Sequence, residues 1–165
     1  MDPSQDYFIS FSILALCFAL SAFFSCSETA LLSVSKIRMR TLAEEGNKTA
    51  KLVERLVNDT DSLLSTILVG NNLVNIGASS LSTVLAIEFF GDAGAGIATG
   101  VVTLIILIFG EITPKTVATA KAEKMALSYA YPIHWIMVIF TPVSIIINAL
   151  ARIFLFILRV DPNAK

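Results

Sequence analysis

The chain has 165 residues, 55% of them hydrophobic, with a mean hydropathy of +0.77 and a formal net charge of −1. That composition excludes a soluble globular domain and indicates an all-α integral membrane protein of three or four spans. The near-neutral charge gives no case for nucleic-acid binding.

The first six residues, Met-Asp-Pro-Ser-Gln-Asp, carry no basic group, so the first apolar run reads as a retained span, not a signal peptide. This span is predicted over about 7–34. Residues 7–24 alone, at ~1.5 Å each, cross most of a ~30 Å hydrocarbon core. Its end changes character at Phe23-Phe24-Ser25-Cys26-Ser27-Glu28-Thr29-Ala30, where small and hydroxylated residues replace bulky ones and Glu28 adds a carboxylate. Glu28 also fits a simpler place, at headgroup level facing water. Cys17 and Cys26 are nine residues apart on one helix and cannot meet as a disulfide, so both read as small apolar helix residues.

Residues 35–60 place Ile37, Leu42, Leu52, Val53, Leu56 and Val57 at helical spacing with charges between them. Gly46-Asn47 divides the stretch into two short amphipathic helices. Its six Lys and Arg residues place the loop on the cytoplasmic side.

The second span is predicted over about 62–90, with Thr60 or Asp61 as its N-cap. It is polar for a span: Gly70-Asn71-Asn72-Leu73-Val74-Asn75 lies inside it, and Ser79, Ser80, Ser82 and Thr83 follow. Asn71, Asn75 and Ser79 step by four and share a face, with Asn72 close to Asn75 and Ser79. That face must look at protein or water. The later serines and Thr83 read first as residues that let helices approach. A short glycine-rich loop without Lys or Arg, 88–96, then lies on the outer side. Gly96-x-x-x-Gly100 is a weak helix-contact signal.

The third span, about 97–120, carries the densest signal, Ile-Phe-Gly-Glu-Ile-Thr-Pro-Lys at 108–115. Glu111 is an ionisable group at membrane depth, where an unpaired charge costs at least about 3 kcal/mol on insertion scales. Pro114 has no N–H, so the helix is expected to break between Gly110 and Pro114 and free the Gly110 carbonyl. Broken helices of this kind line ion sites in transporters. A structural ion pair between Glu111 and Lys115, at i,i+4 spacing, is the competing reading. Lys115, Lys121 and Lys124 make this end cytoplasmic.

Residues 126–160 are apolar enough for a fourth span, but Pro132 and Pro142 cut them and Arg152 and Arg159 stand towards the end. Helices lying at the cytoplasmic interface are expected here, anchored by Trp135, with a true fourth span as the alternative. His134 reads as interfacial packing. Residues 161–165 form a linker-like tail.

Three patches, Ser25–Glu28, Asn71–Asn75 and Gly110–Glu111, thus lie towards the cytoplasmic halves of three spans and can converge. Their ligands are all oxygen, which suits a hard cation such as Mg2+ with one or two carboxylates. No thiolate and imidazole set for zinc or copper is present. Neither a nucleophile elbow nor a His-Glu-x-x-His pattern supports an enzyme.

Phe-Phe-Ser-Cys-Ser-Glu-Thr-Ala-Leu (23–31), Leu-Val-Gly-Asn-Asn-Leu-Val-Asn (68–75) and Phe-Gly-Glu-Ile-Thr-Pro-Lys (109–115) resemble the three signatures of the transmembrane domain of the CorC / cyclin M family. The resemblance covers nearly the whole chain, in order and spacing. It implies a homodimer of three spans with a belt of juxtamembrane helices, exporting Mg2+, with Na+ as the coupling ion in bacterial members. It makes Ser25 a hydroxyl ligand, Gly110 a carbonyl ligand and Glu111 the carboxylate ligand, with Asn71, Asn75 and Asn72 as the amide candidates. Ser27 and Glu28 match the bacterial form of the first motif. Together with Ser79, Pro114 and Lys115 they are candidates for an additional site or coupling role. Family members continue into cytosolic nucleotide-binding modules that this chain does not reach. The expected function is therefore Mg2+ export across the cell membrane, N-terminus outside and C-terminus cytoplasmic. A non-transporting Mg2+ sensor or scaffold is the alternative.

Overall fold

A computed structural model describes residues 3–157. Seven α-helices follow in order: α1 (Pro3–Ser33), α2 (Lys36–Glu44), α3 (Lys48–Asn58), α4 (Thr60–Phe90), α5 (Gly94–Ile105), α6 (Thr113–Ala120) and α7 (Ala122–Ile157). A 3-10 turn, Gly91–Ala93, joins α4 to α5, and a π-helical turn, Ile106–Ile112, joins α5 to α6. The described residues contain no strand. The tail 161–165 and Arg159 lie outside the described residues, as does the side chain of Arg152.

Among the described residues, three stretches are long and apolar enough to cross a membrane: Gln5–Ser33, Thr60–Ala120 and Ala122–Val143. The middle one has 61 residues and folds back on itself. At ~1.5 Å per residue that is about three times the ~30 Å one crossing needs, enough for two crossings and the turn between them. The fold-back falls at Gly91, whose φ of +67° closes α4 and disfavours any residue with a Cβ. Gly94 lets α5 pass against α4 closely enough that a Cβ there would strike the Ala86 carbonyl.

Helix α1 is central. Against α4 it runs antiparallel: the Tyr7 hydroxyl donates to Glu88 at 2.8 Å near one end, and Phe24 packs on Gly70 towards the other. A Cβ at Gly70 would lie 2.5 Å from the Phe24 ring. Against the third span α1 runs parallel, since Ser21 meets Gly110 and Cys26 meets Pro114. The apolar outer faces of these helices, such as Phe8, Leu73 and Leu104, stay exposed, as lipid-facing residues should.

The tightest core lies at one end of this bundle. Leu31, Met39, Val53, Leu63, Ala126 and Ile133 are fully buried in one cluster drawn from α1, α2, α3, α4 and α7. The two amphipathic helices form as expected, separated at Gly46 (φ +94°). The Asn47 side chain caps α3 by accepting from the Thr49 and Ala50 amides, both at 3.0 Å. At α4 the N-cap position belongs to Asp59, not to Thr60 or Asp61; the Thr60 hydroxyl instead donates back to the Val57 carbonyl at 2.7 Å.

Helix α7 also differs from expectation. It is one continuous helix through Pro132 and Pro142, both on its exposed side, where no packed neighbour has to absorb the lost hydrogen bonds. Its residues 126–145 pack at one end of the bundle. Tyr129 stacks edge-on against Phe23, with centroids 5.3 Å apart, and His134 to Ile145 line a groove with Leu52, Asp59, Ser62 and Thr66. Only the first turns of α4 enter that groove.

Candidate functional site

One face of α1 carries Ser21, Ser25 and Glu28 at i, i+4 and i+7, so the three stand in a row along the helix. The neighbours of this row are the polar face of α4 and the π-helical turn.

At the Ser21 level, the serine hydroxyl lies 3.4 Å from Asn71 Oδ1 and faces Gly110. A Cβ on Gly110 would sit 2.7 Å from Ser21 Oγ, so only glycine lets the π-turn come this close to α1. Ser21 was not among the residues the sequence singled out. Its signal was there: a serine one turn before Ser25 in an otherwise apolar run.

One turn further, Ser25 is fully buried and its hydroxyl has no hydrogen-bond partner; Asn75 Oδ1 on α4 is likewise buried and unpartnered. An unsatisfied buried polar atom costs about 1–3 kcal/mol. Because α4 runs antiparallel to α1, Asn75 lies one turn from Asn71 in the direction away from Ser25, so the two unsatisfied atoms flank the Ser21–Asn71 contact on either side. Ser27 differs: although fully buried, its hydroxyl donates to the Phe23 carbonyl at 2.7 Å and is satisfied within α1.

The expected helix break at Gly110–Pro114 is instead a π-helical turn over Ile106–Ile112, through which the third span stays continuous. The Thr113 amide donates to the Ile108 carbonyl, five residues back. The wider winding accommodates the proline without ending the helix. Since Pro114 has no N–H, neither the Phe109 carbonyl (π register) nor the Gly110 carbonyl (α register) receives a bond from it. Pro114 is buried, and its own carbonyl accepts from Cys26 Sγ at 3.4 Å, which ties α6 to α1. Cys26 thus does more than pack. Cys17 and Cys26 are both free thiols.

Glu111 is half-buried at the π-turn and forms no salt bridge among the described residues. Lys115 does not pair with it. The ammonium lies 3.3 Å from Glu28 on α1, which replaces the i,i+4 pair weighed from the sequence. Glu28 also borders a cavity of about 290 Å³ with Leu64, Ser65, Ile67, Leu68 and Asn71, beside the Ser21–Asn71 contact.

The structure separates the three asparagines. Asn71 and Asn75 are half-buried on the face towards α1, whereas Asn72 is exposed, about 100° around the helix. Ser79 is half-buried two turns beyond Asn71, with its carbonyl accepting from Thr83, and Ser82 is buried with an unpartnered hydroxyl. A Cβ added at Gly96 or Gly100 would meet no other element within 4 Å among the described residues. No group of three or more His, Cys, Asp and Glu side chains able to hold a metal forms among the described residues. A cation held here would use hydroxyl, amide and carbonyl oxygens with Glu111 as the nearby carboxylate, a hard-cation donor set.

The chain matches the family model described as the cyclin M transmembrane N-terminal domain over residues 12–165. It is 51% identical over 141 residues to a UPF0053 protein of Haemophilus influenzae, covering 79% of this chain and 34% of that protein. It is 42% identical over 133 residues to the UPF0053 inner membrane protein YfjD of Escherichia coli, covering 81% of this chain and 31% of that protein. A chloroplast DUF21 domain-containing protein of Arabidopsis thaliana is 40% identical over 153 residues, covering 93% and 23% respectively. The chain therefore spans about a third or less of these relatives' length.

Proposed function

The chain belongs to the cyclin M transmembrane domain family, a multi-pass membrane protein, and on that footing we propose that it exports Mg2+ by a secondary-active, Na+-coupled cycle. The observation that carries the proposal is the buried, unpartnered Ser25 hydroxyl in a row that also meets Asn71 and the π-turn bearing Glu111. In this reading Ser25, Asn71, Asn75, the Gly110 carbonyl and Glu111 replace part of the ion's water shell. Glu111 supplies the charge that offsets dehydration, which Mg2+ resists strongly. Asn72 takes no part in the ligand set. The third span runs on through its π-turn, an irregularity that recurs at functional sites and needs no break in the helix.

The reading includes the topology implied by charge. The six basic residues of 35–60 and Lys115, Lys121 and Lys124 place α2, α3 and the start of α7 on the cytoplasmic side, with the N-terminus outside. Helix α7 then lies at the interface as part of a juxtamembrane belt, and two copies form the homodimer. The protein is a carrier, not an enzyme.

The test is isothermal titration of Mg2+ into the purified chain, wild type against Glu111→Ala, with folding and oligomeric state followed by size exclusion. Saturable binding that disappears in the variant supports the site. Equal binding in both defeats it. Flux in proteoliposomes under an imposed Na+ gradient then tests export, and binding without flux would favour the sensor reading.

A further inference from the structure

We propose that Glu28 is a positioning residue: it holds the Lys115 ammonium away from Glu111, so that this carboxylate stays free for a divalent ion. The inference rests on the cation-site reading above.

Lys115 has two candidate carboxylate partners. Glu111 precedes it by four residues, the spacing at which oppositely charged side chains meet on a helix surface. Glu28 stands across the helix interface on α1. The ammonium takes the second, at 3.3 Å, and Glu111 is left with no salt bridge among the described residues. The choice has little to do with fold stability. The Lys115 and Glu28 side chains are 45% and 31% exposed, and such pairs contribute little. Its effect is on the site. Lysine has a flexible stem and carries its charge as a point, so an ammonium released from Glu28 can turn to Glu111 and compete with a bound cation. Glu28 is anchored where it can act: it follows Ser25 by three residues on the buried row of α1 and borders the same cavity as Asn71.

The test is a double-mutant cycle read as Mg2+ affinity by isothermal titration, using the full chain in detergent. The variants are Glu28→Gln, Lys115→Met and the two combined, each checked by size exclusion. Glu28→Gln is expected to weaken binding roughly tenfold, the equivalent of ~1.4 kcal/mol of competition. Lys115→Met alone should change affinity by less than about threefold, because the ammonium is already held off the site. The combined variant should bind like the wild type, so the cycle is strongly non-additive. Failure of the combined variant to recover would make Glu28 itself a ligand and overturn the proposal. Equal and opposite single effects that simply add would reduce the pair to a through-space field and overturn it too. Absence of saturable binding in the wild type would defeat the cation-site reading and this inference together. Wild-type binding with an additive cycle would defeat this inference alone.

Discussion

Gly110 faces Ser21 so closely that a single added carbon would stand 2.7 Å from the serine hydroxyl. The approach brings the π-turn onto α1 at the level of Asn71 and sets the spacing between Glu111 and the row of hydroxyls. Gly110→Ala should therefore push the third span off α1. Overpacking of this kind costs about 1–3 kcal/mol. A fall in melting temperature together with weaker Mg2+ binding is expected, and adding Ser21→Gly should recover both, since Ser21 supplies the nearest atoms. No recovery in the double variant would show that Gly110 is needed for its backbone conformation and not for the approach.

Ser25→Ala separates a structural hydroxyl from a ligand by the sign of two effects. Removing a buried hydroxyl that has no partner removes a desolvation cost, so thermal stability without Mg2+ should hold or rise, by up to about 1 kcal/mol. Stabilisation by added Mg2+ should shrink at the same time. A loss of stability in the absence of Mg2+ would mean that Ser25 is satisfied by something in the folded protein.

The asparagines should part company although they are near neighbours in the chain. Asn75→Ala removes a buried, unpartnered amide oxygen and is expected to weaken Mg2+ binding tenfold or so, ~1.4 kcal/mol. Asn72→Ala alters an exposed position and should leave affinity unchanged. Titration of the two variants side by side decides this, and equal losses would contradict the α4 orientation described here.

Two glycines outside the site should differ in severity. At Gly70 the obstacle to a Cβ is the Phe24 ring, which can rotate or shift, so Gly70→Ala should cost about 1–3 kcal/mol and be eased by Phe24→Leu. At Gly94 the obstacle is the Ala86 backbone, which cannot step aside without opening the hairpin. Gly94→Ala should lower the melting temperature further, with no rescue from any side-chain change nearby. Thermal unfolding in detergent ranks them.

Much of the candidate site was legible because its residues violate their surroundings. Ser25, Asn71, Asn75 and Glu111 are polar in apolar runs, and a polar group at depth needs a reason. The break expected at Pro114 was half right. A missing N–H dictates that helical bonding must change there, but whether the chain breaks or winds into a π-turn depends on what packs against it, here Ser21 and Cys26. Ser21 itself went unread because one serine in a span is usually a packing residue.

By itself the sequence determined the order of the three expected spans, the division of 35–60 into two short helices and the oxygen character of the three polar patches. Each follows from local rules of hydropathy, helical period and backbone chemistry. Only the tertiary structure decided partners. It gave Lys115 to Glu28 instead of Glu111, left Asn72 exposed while Asn71 and Asn75 are half-buried, left Ser25 without a hydrogen bond and set residues 134–145 of α7 against the start of α4. These outcomes depend on distances between helices far apart in the chain. Close approaches at Gly70, Gly94 and Gly110 set those distances, and no local pattern encodes them.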